Sequence, residues 1–289
     1  MAKSFGPVTP VACNVVDTKY TLKSANVKGH EVPTSFTLLK QKSPTAVVPP
    51  LADGVRLVTI DEYKQAAACL AEAFAEDEVA RYFVDVPDRE DWTEEERYAL
   101  HLEILEYITY AHVLKGLVTT VGDFEAVALW HVHATVPSRS ITDIDRMPPG
   151  QNMDDYITIF RSGMWRLNYR LSPEGKRRFF NEFFPLLHDT MHATLGDREL
   201  ETWYLVYLGT RPAGRGKGHA RKLITHVTKL ADGEGRACYL ESSNAANPAI
   251  YRKFGFEERR TIHLQRAQKN ISLDIMVREP VVQEKKAGF

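Results

Sequence analysis

Residues 203–256 read WYLVYLGTRPAGRGKGHARKLITHVTKLADGEGRACYLESSNAANPAIYRKFGF, and the order of elements within them decides the fold. WYLVYL is β-branched and aromatic, which predicts a strand that Gly209-Thr210-Arg211-Pro212 ends. Beyond it Ala220, Leu223, Ile224, Val227, Leu230 and Ala231 fall at offsets 0, 3, 4, 7, 10 and 11, the apolar stripe of one helix face. Arg215-Gly216-Lys217-Gly218-His219-Ala220 therefore opens a helix. Glycines there admit a ligand to the backbone, the first N–H groups lack intrahelical acceptors, and the macrodipole adds roughly half a positive charge, so a diphosphate is the natural guest. A Walker loop is excluded, because Gly209 plus five is Gly214 and the next residue is Arg215. A dinucleotide fingerprint fails as well, since Gly214-x-Gly216 is followed by His219 where the third glycine belongs. ACYLESS then predicts a second strand carrying Glu241. Asn247 as N-cap, Pro248 in the first turn and Gly255 as C-cap mark a short helix that displays Tyr251.

The order strand, R-G-K-G-x-A turn, helix, strand, Asn, Tyr, x-x-x-G-F resembles the acetyl-CoA-binding half of the GNAT acetyltransferase superfamily, whose pyrophosphate loop reads R-x-x-G-x-A. The likeness extends to its puromycin N-acetyltransferase type of small-molecule enzyme through AEAFAEDEVARYF, AVALW, WYLVYLGTRPAGRGKGHA, LESS and NPAIYRKFGF, in that order, over roughly 54–278. Departures are Arg215 where Gln is also common, His219 where an aliphatic residue is usual, Ala220 where Gly is usual, and a longer helical insertion. The resemblance implies an α/β fold with a mixed, mostly antiparallel central sheet flanked by helices and a helical insertion before the fourth core strand. It implies acetyl-CoA as co-substrate, no metal, and direct transfer to the primary amine of a small molecule through a ternary complex. The backbone of Leu208, Gly209 and Thr210 would pair with the pantetheine arm. Arg215, Gly216, Lys217, Gly218, His219, Ala220 and Arg221 would hold the diphosphate, Asn247 would hydrogen-bond the cofactor, and Tyr251 would face its sulfur.

Outward from this segment, VRLVTI from Val55 predicts a strand and Asp61 a helix through Ala66, Leu70 and Phe74. Thr93 with Glu96 forms a capping box before a helix through His112, and LVTTV with FEAVALW reads as a hairpin. Met147 to Arg198 holds Tyr156, Phe160, Trp165, Tyr169, Phe179, Phe180, Phe183 and Phe184, with Ser172-Pro173 starting a helix near Glu174. These aromatics either pack an insertion onto the main body or line a substrate lid. The organisation expected is an N-terminal extension at 1–50, an acetyltransferase domain at 51–280 with its insertion at 151–198, and a tail at 281–289.

The chain of 289 residues is 44% hydrophobic and 26% charged, which excludes fibrous and disordered classes. Its formal charge of -1 supplies no global field for nucleic acid or an anionic membrane. Charge is nevertheless segregated, acidic between Glu72 and Glu96 and basic between Thr210 and Arg236. Cys13, Cys69 and Cys238 form no paired motif, and neither a signal segment nor a long apolar run appears, so the cytoplasm is the expected address.

Acetyl transfer to nitrogen needs a route for the proton, because an alkyl ammonium with a pKa of about 10.4 is almost wholly charged at neutral pH. Glu241, His131 and His133 are the candidate bases. Tyr251 is the expected hydrogen-bond donor to the departing thiolate. Rival readings remain: a protein lysine or N-terminal acetyltransferase, a non-catalytic acetyl-CoA sensor, and a metal hydrolase built on the i, i+4 pair His188 and His192, which lacks the Glu of H-E-x-x-H.

Overall fold

A computed structural model describes residues 52–132 and 156–281. The chain runs from β1 (Val55–Leu57) to α1 (Tyr63–Ala73), α2 (Glu78–Val84), α3 (Glu94–Lys115) and the hairpin β2 (Leu117–Val121) and β3 (Ala126–Val132). From residue 156 it continues as α4 (Tyr156–Ser162), α5 (Leu167–Arg170), α6 (Pro173–Lys176), a π-helical turn (Arg177–Phe183) and α7 (Phe184–Leu195). Then come β4 (Trp203–Thr210), α8 (His219–Glu234), β5 (Cys238–Ser242), α9 (Asn247–Tyr251), and the hairpin β6 (Glu257–Leu264) and β7 (Ile271–Arg278). The strands form one sheet in the order β1-β2-β3-β4-β5-β7-β6. Among the described strands only β4 and β5 pair in parallel, so the sheet is mixed and mostly antiparallel, as expected.

Local chemistry sets the boundaries. The Thr93–Glu96 capping box is formed, Asp77 caps α2 by accepting from Val79 and Ala80, and Ser172 caps α6 through Gly175. The expected strand VRLVTI stops at Leu57, because Thr59 and Glu62 make a second capping box. Asp61 consequently lies in a 3-10 turn that precedes α1 rather than opening the helix itself. FEAVALW likewise starts late, since Phe124 belongs to the hairpin turn.

α8 covers one face of the sheet, burying Leu223, Ile224, Val227 and Ala231 against Trp130, Leu205, Leu240 and Phe256. His219, and not Ala220, takes the inward position at the start of that stripe. α1 and α3 cover the other face around Leu70, Leu105, Val127 and Leu129. The insertion packs here through Leu167, Leu171 and Phe179, so packing accounts for its innermost aromatic ring, while Phe160, Trp165, Tyr169 and Phe184 face solvent. Residues 151–155 of the expected insertion lie outside the described residues. Among the described residues no helix is long and apolar enough to cross a membrane.

Candidate active site

The sheet opens between its two parallel strands. Trp203, Tyr204 and Leu205 pair with Cys238, Tyr239 and Leu240, and there the ladder ends, although β4 continues to Thr210 and β5 to Ser242. On its other edge β4 stays paired, with Ala128 opposite Leu208, Val127 opposite Gly209 and Ala126 opposite Thr210. The register slips once on the way: Trp130 faces Leu205 and Leu129 faces Tyr207, so Val206 is an extra residue, a β-bulge. Val206 and Tyr207 consequently both turn to the α1 side. Among the described residues the β5-facing edge of Leu208–Thr210 has no strand partner.

Gly209 has a second role in this geometry. A Cβ there would come 2.8 Å from Leu70 Cδ2 and 2.9 Å from Ala73 Cβ, so its missing side chain lets α1 pack directly on β4.

The glycine turn follows at the same end of the sheet. Gly216 and Gly218 take φ of 79° and 77°, with nothing within 4 Å of where a Cβ would stand. The backbone ladder of α8 begins with Lys222 N–H donated to Gly218 C=O at 3.2 Å. The N–H groups from Gly216 to Arg221 have no backbone acceptor among the described residues. Arg215 and Arg221 are exposed. Lys217 is not free for a ligand: its Nζ donates to Glu125 Oε1 at 2.6 Å, and His219 Nε2 meets Glu125 Oε2 at 2.6 Å. Together the two hold the Glu125 carboxyl below the usual carboxylate range.

The second motif differs from expectation in its cap. Ala246 is the N-cap of α9 and Asn247 the first helical residue, because Asn244 already supplies the turn, accepting from Ala246 N–H on its side chain and from Asn247 N–H on its carbonyl. Gly255 ends the following 3-10 turn at φ 85°. Tyr251 is less displayed than its position implied: only 9% exposed, it packs edge-on against Phe256, and burial pushes its phenol up to about 12.

Glu241 stands on the other face of the sheet, two residues along β5 from Tyr239. Burial pushes its carboxyl up to about 7, partly offset by the phenols of Tyr204 and Tyr239. Its Oε1 and the Tyr239 hydroxyl are both buried. Beside them Ser243 Oγ donates to Asp77 Oδ2 at 2.5 Å, tying the end of β5 to the acidic turn before α2. His131 is buried on β3 opposite Tyr204, with its ring edge-on to that of His112, while His133 lies outside the described residues.

The site thus combines a carboxyl pushed up to about 7, a sheet split at its parallel seam, and N–H groups without backbone acceptors at the same end of the sheet. Residues 188–258 match the acetyltransferase (GNAT) domain model. A Schizosaccharomyces pombe protein named uncharacterized N-acetyltransferase C550.08 is 42% identical over 228 residues, which cover 79% of this chain and 84% of that protein. The chain belongs to the GNAT acetyltransferase family.

Solved structures similar to this acetyltransferase include a Corynebacterium glutamicum protein described as histone acetyltransferase HPA2 and related acetyltransferase. It is 18% identical with a TM-score of 0.45, over 79% of this chain and 97% of that one. Another is arylalkylamine N-acetyltransferase 2 from Aedes aegypti, 16% identical with a TM-score of 0.46, over 78% of this chain and 97% of that one.

The acetyltransferase is an acyl-transfer enzyme, and enzymes of its family use acetyl-CoA. His188 and His192 are exposed side chains whose Nδ1 atoms lie 4.0 and 3.3 Å from Glu199. No group of His, Cys, Asp or Glu among the described residues is arranged to hold a metal ion.

Proposed function

We propose that this acetyltransferase moves the acetyl group of acetyl-CoA directly onto the primary amine of a small molecule, with both substrates bound together, in the manner of the puromycin N-acetyltransferase type. The observation that carries the reading is the gap: the β4–β5 ladder stops at Leu205 and Leu240, and the open N–H groups of Gly216–Arg221 lie at the same carboxyl end of the strands. A carrier with a diphosphate at one end and an amide-bearing thioester arm at the other suits both features. The edge of Leu208, Gly209 and Thr210 supplies strand-like partners for the arm. Backbone groups of Gly216, Lys217, Gly218, His219 and Ala220, with Arg215 and Arg221, take the diphosphate, and Asn247 bonds the arm.

Glu241 and Tyr251 stand on opposite faces of the sheet, so a thioester lying in the gap has a carboxylate on one side and a phenol on the other. Glu241, near half-ionised at neutral pH, takes the first proton from the substrate ammonium. The free amine attacks the thioester carbonyl, which the Leu208 N–H polarises. Full proton transfer from a phenol at about 12 to a thiolate near 8.5 runs uphill by roughly 5 kcal/mol. Tyr251 therefore donates a hydrogen bond as the C–S bond breaks, and the nitrogen of the tetrahedral intermediate gives the thiolate its proton.

The acidic turn at Glu76-Asp77-Glu78, bound to the end of β5 through Ser243, supports a cationic acceptor. The exposed rings of Phe160, Trp165 and Tyr169 support a lid role for the insertion within a domain spanning 51–280. The buried free thiols Cys69 and Cys238 accord with a reducing, cytoplasmic setting. Calorimetric titration with acetyl-CoA, followed by thiol-release assays against panels of primary amines and lysine peptides, tests the proposal. Heat with acetyl-CoA and turnover of small amines are expected; turnover confined to peptides would move the activity to proteins, and no binding heat would end the reading.

A further inference from the structure

The β2–β3 turn carries a carboxylate to which nothing in the sequence pointed. Gly122 and Phe124 both take positive φ, 67° and 52°. For Phe124 that backbone is strained, and it is kept because the ring is buried beneath the Arg56 guanidinium, 4.8 Å from its centre. Gly122 adds room, since a Cβ there would come 3.2 Å from Glu125 Oε2. So aimed, the carboxylate accepts from Lys217 Nζ and His219 Nε2, each at 2.6 Å, while the carbonyl of Glu125 accepts the Arg211 N–H at 2.9 Å. An ionised carboxylate only accepts, so His219 Nε2 carries the shared proton. One residue thereby fastens both ends of the turn that joins β4 to α8.

We infer that Glu125 is a positioning residue for the acyl carrier, setting the spacing of the open N–H groups between Gly216 and Arg221. The inference rests on the proposal that this turn takes a diphosphate. Because Glu125 neutralises Lys217, recognition of the anion falls on backbone donors and on Arg215 and Arg221, and backbone donors serve only where the chain holds them ready. Removing Glu125 has two opposed effects. It frees Lys217 for the phosphates, but that pair is half exposed and screened by solvent, so the gain is small. It also strips the buried His219 N–H of its acceptor and lets the turn spread, and this second effect dominates.

Glu125→Ala and Glu125→Gln are to be assayed with acetyl-CoA and with acetyl-pantetheine, which keeps the thioester arm and lacks the diphosphate. The preference of the native enzyme for acetyl-CoA in kcat/KM measures its grip on the diphosphate. Glu125→Ala is expected to lower that preference by about tenfold, through a higher KM for acetyl-CoA at nearly constant kcat. Glu125→Gln, still able to accept from His219, is expected to fall between. A preference unchanged or enlarged in Glu125→Ala overturns the inference, as does an equal loss on both carriers. A native enzyme with no preference overturns the diphosphate reading itself, and the inference with it.

Discussion

Glu241 is the side chain on which one burial acts twice. Its folded pKa of about 7 stands above the ordinary 4.5, so activity that needs the carboxylate is expected to rise with pH through about 7 and then level off. Glu241→Gln is expected to lower kcat at least a hundredfold, the usual span of a lost general base being about 10²–10⁴, and to remove the acid limb from the pH–rate profile. Stability moves the other way. The folded chain holds this proton more tightly than the unfolded one, so the burial costs stability as pH rises from 4.5 through about 7. Glu241→Gln should accordingly gain about 1–3 kcal/mol at pH 8 and little near pH 4.5, read as a shift in Tm. Tyr251→Phe is expected to lower kcat while leaving acetyl-CoA binding by calorimetry nearly intact; full kcat would remove the hydrogen bond to sulfur. The placement of Glu241 on a strand and of Tyr251 on a short helix was legible because local motifs announce both elements. Glu125 was not, because its partner His219 lies 94 positions away and no local pattern encodes that contact.

Turns and helix ends decide the next scale. Gly216→Ala and Gly218→Ala meet no steric obstacle, so each should cost only the strain of a left-handed backbone, about 1–2 kcal/mol, with a weaker calorimetric Kd for acetyl-CoA. Gly209→Ala differs: its methyl would press on Leu70 and Ala73, an overpacking cost of about 1–3 kcal/mol visible in chemical denaturation. The stripe of α8, the capping box of α3 and the Ser172 cap follow from residues within a few positions of one another, which is why the sequence shows them. Competition between neighbouring signals explains the misses. Thr59 and Glu62 win a stretch whose β-branched residues argue for strand, and Asn244 supplies the turn that Asn247 was expected to cap. The π turn at Arg177–Phe183, between α6 and α7 and packed against α2, has no local signature.

Across the whole domain, the insertion is held by a buried cation. Arg178, 4% exposed, donates to the carbonyls of Tyr82, Asp85 and Arg266 at 2.8, 2.9 and 3.0 Å and lies over the Tyr82 ring. It joins the π turn to α2 and to the β6–β7 turn. Arg178→Met leaves those carbonyls unsatisfied and is expected to cost about 3 kcal/mol or more, with amide exchange quickening at all three segments. Composition alone established a globular chain, and the resemblance implied the sheet and a free edge at Leu208–Thr210; the residues by themselves did not show where the sheet divides, because pairing between distant strands depends on register rather than on residue type. Register also bears on the enzyme's capacity for a guest. β4 owns one residue more than β3 can match, at Val206, and beyond that point it leans off β5. Were the surplus residue deleted, the two strands could zip to their tips and the slot would heal shut. On the proposed reading, a sheet left unfinished by a single count reserves a berth for the carrier's arm to complete.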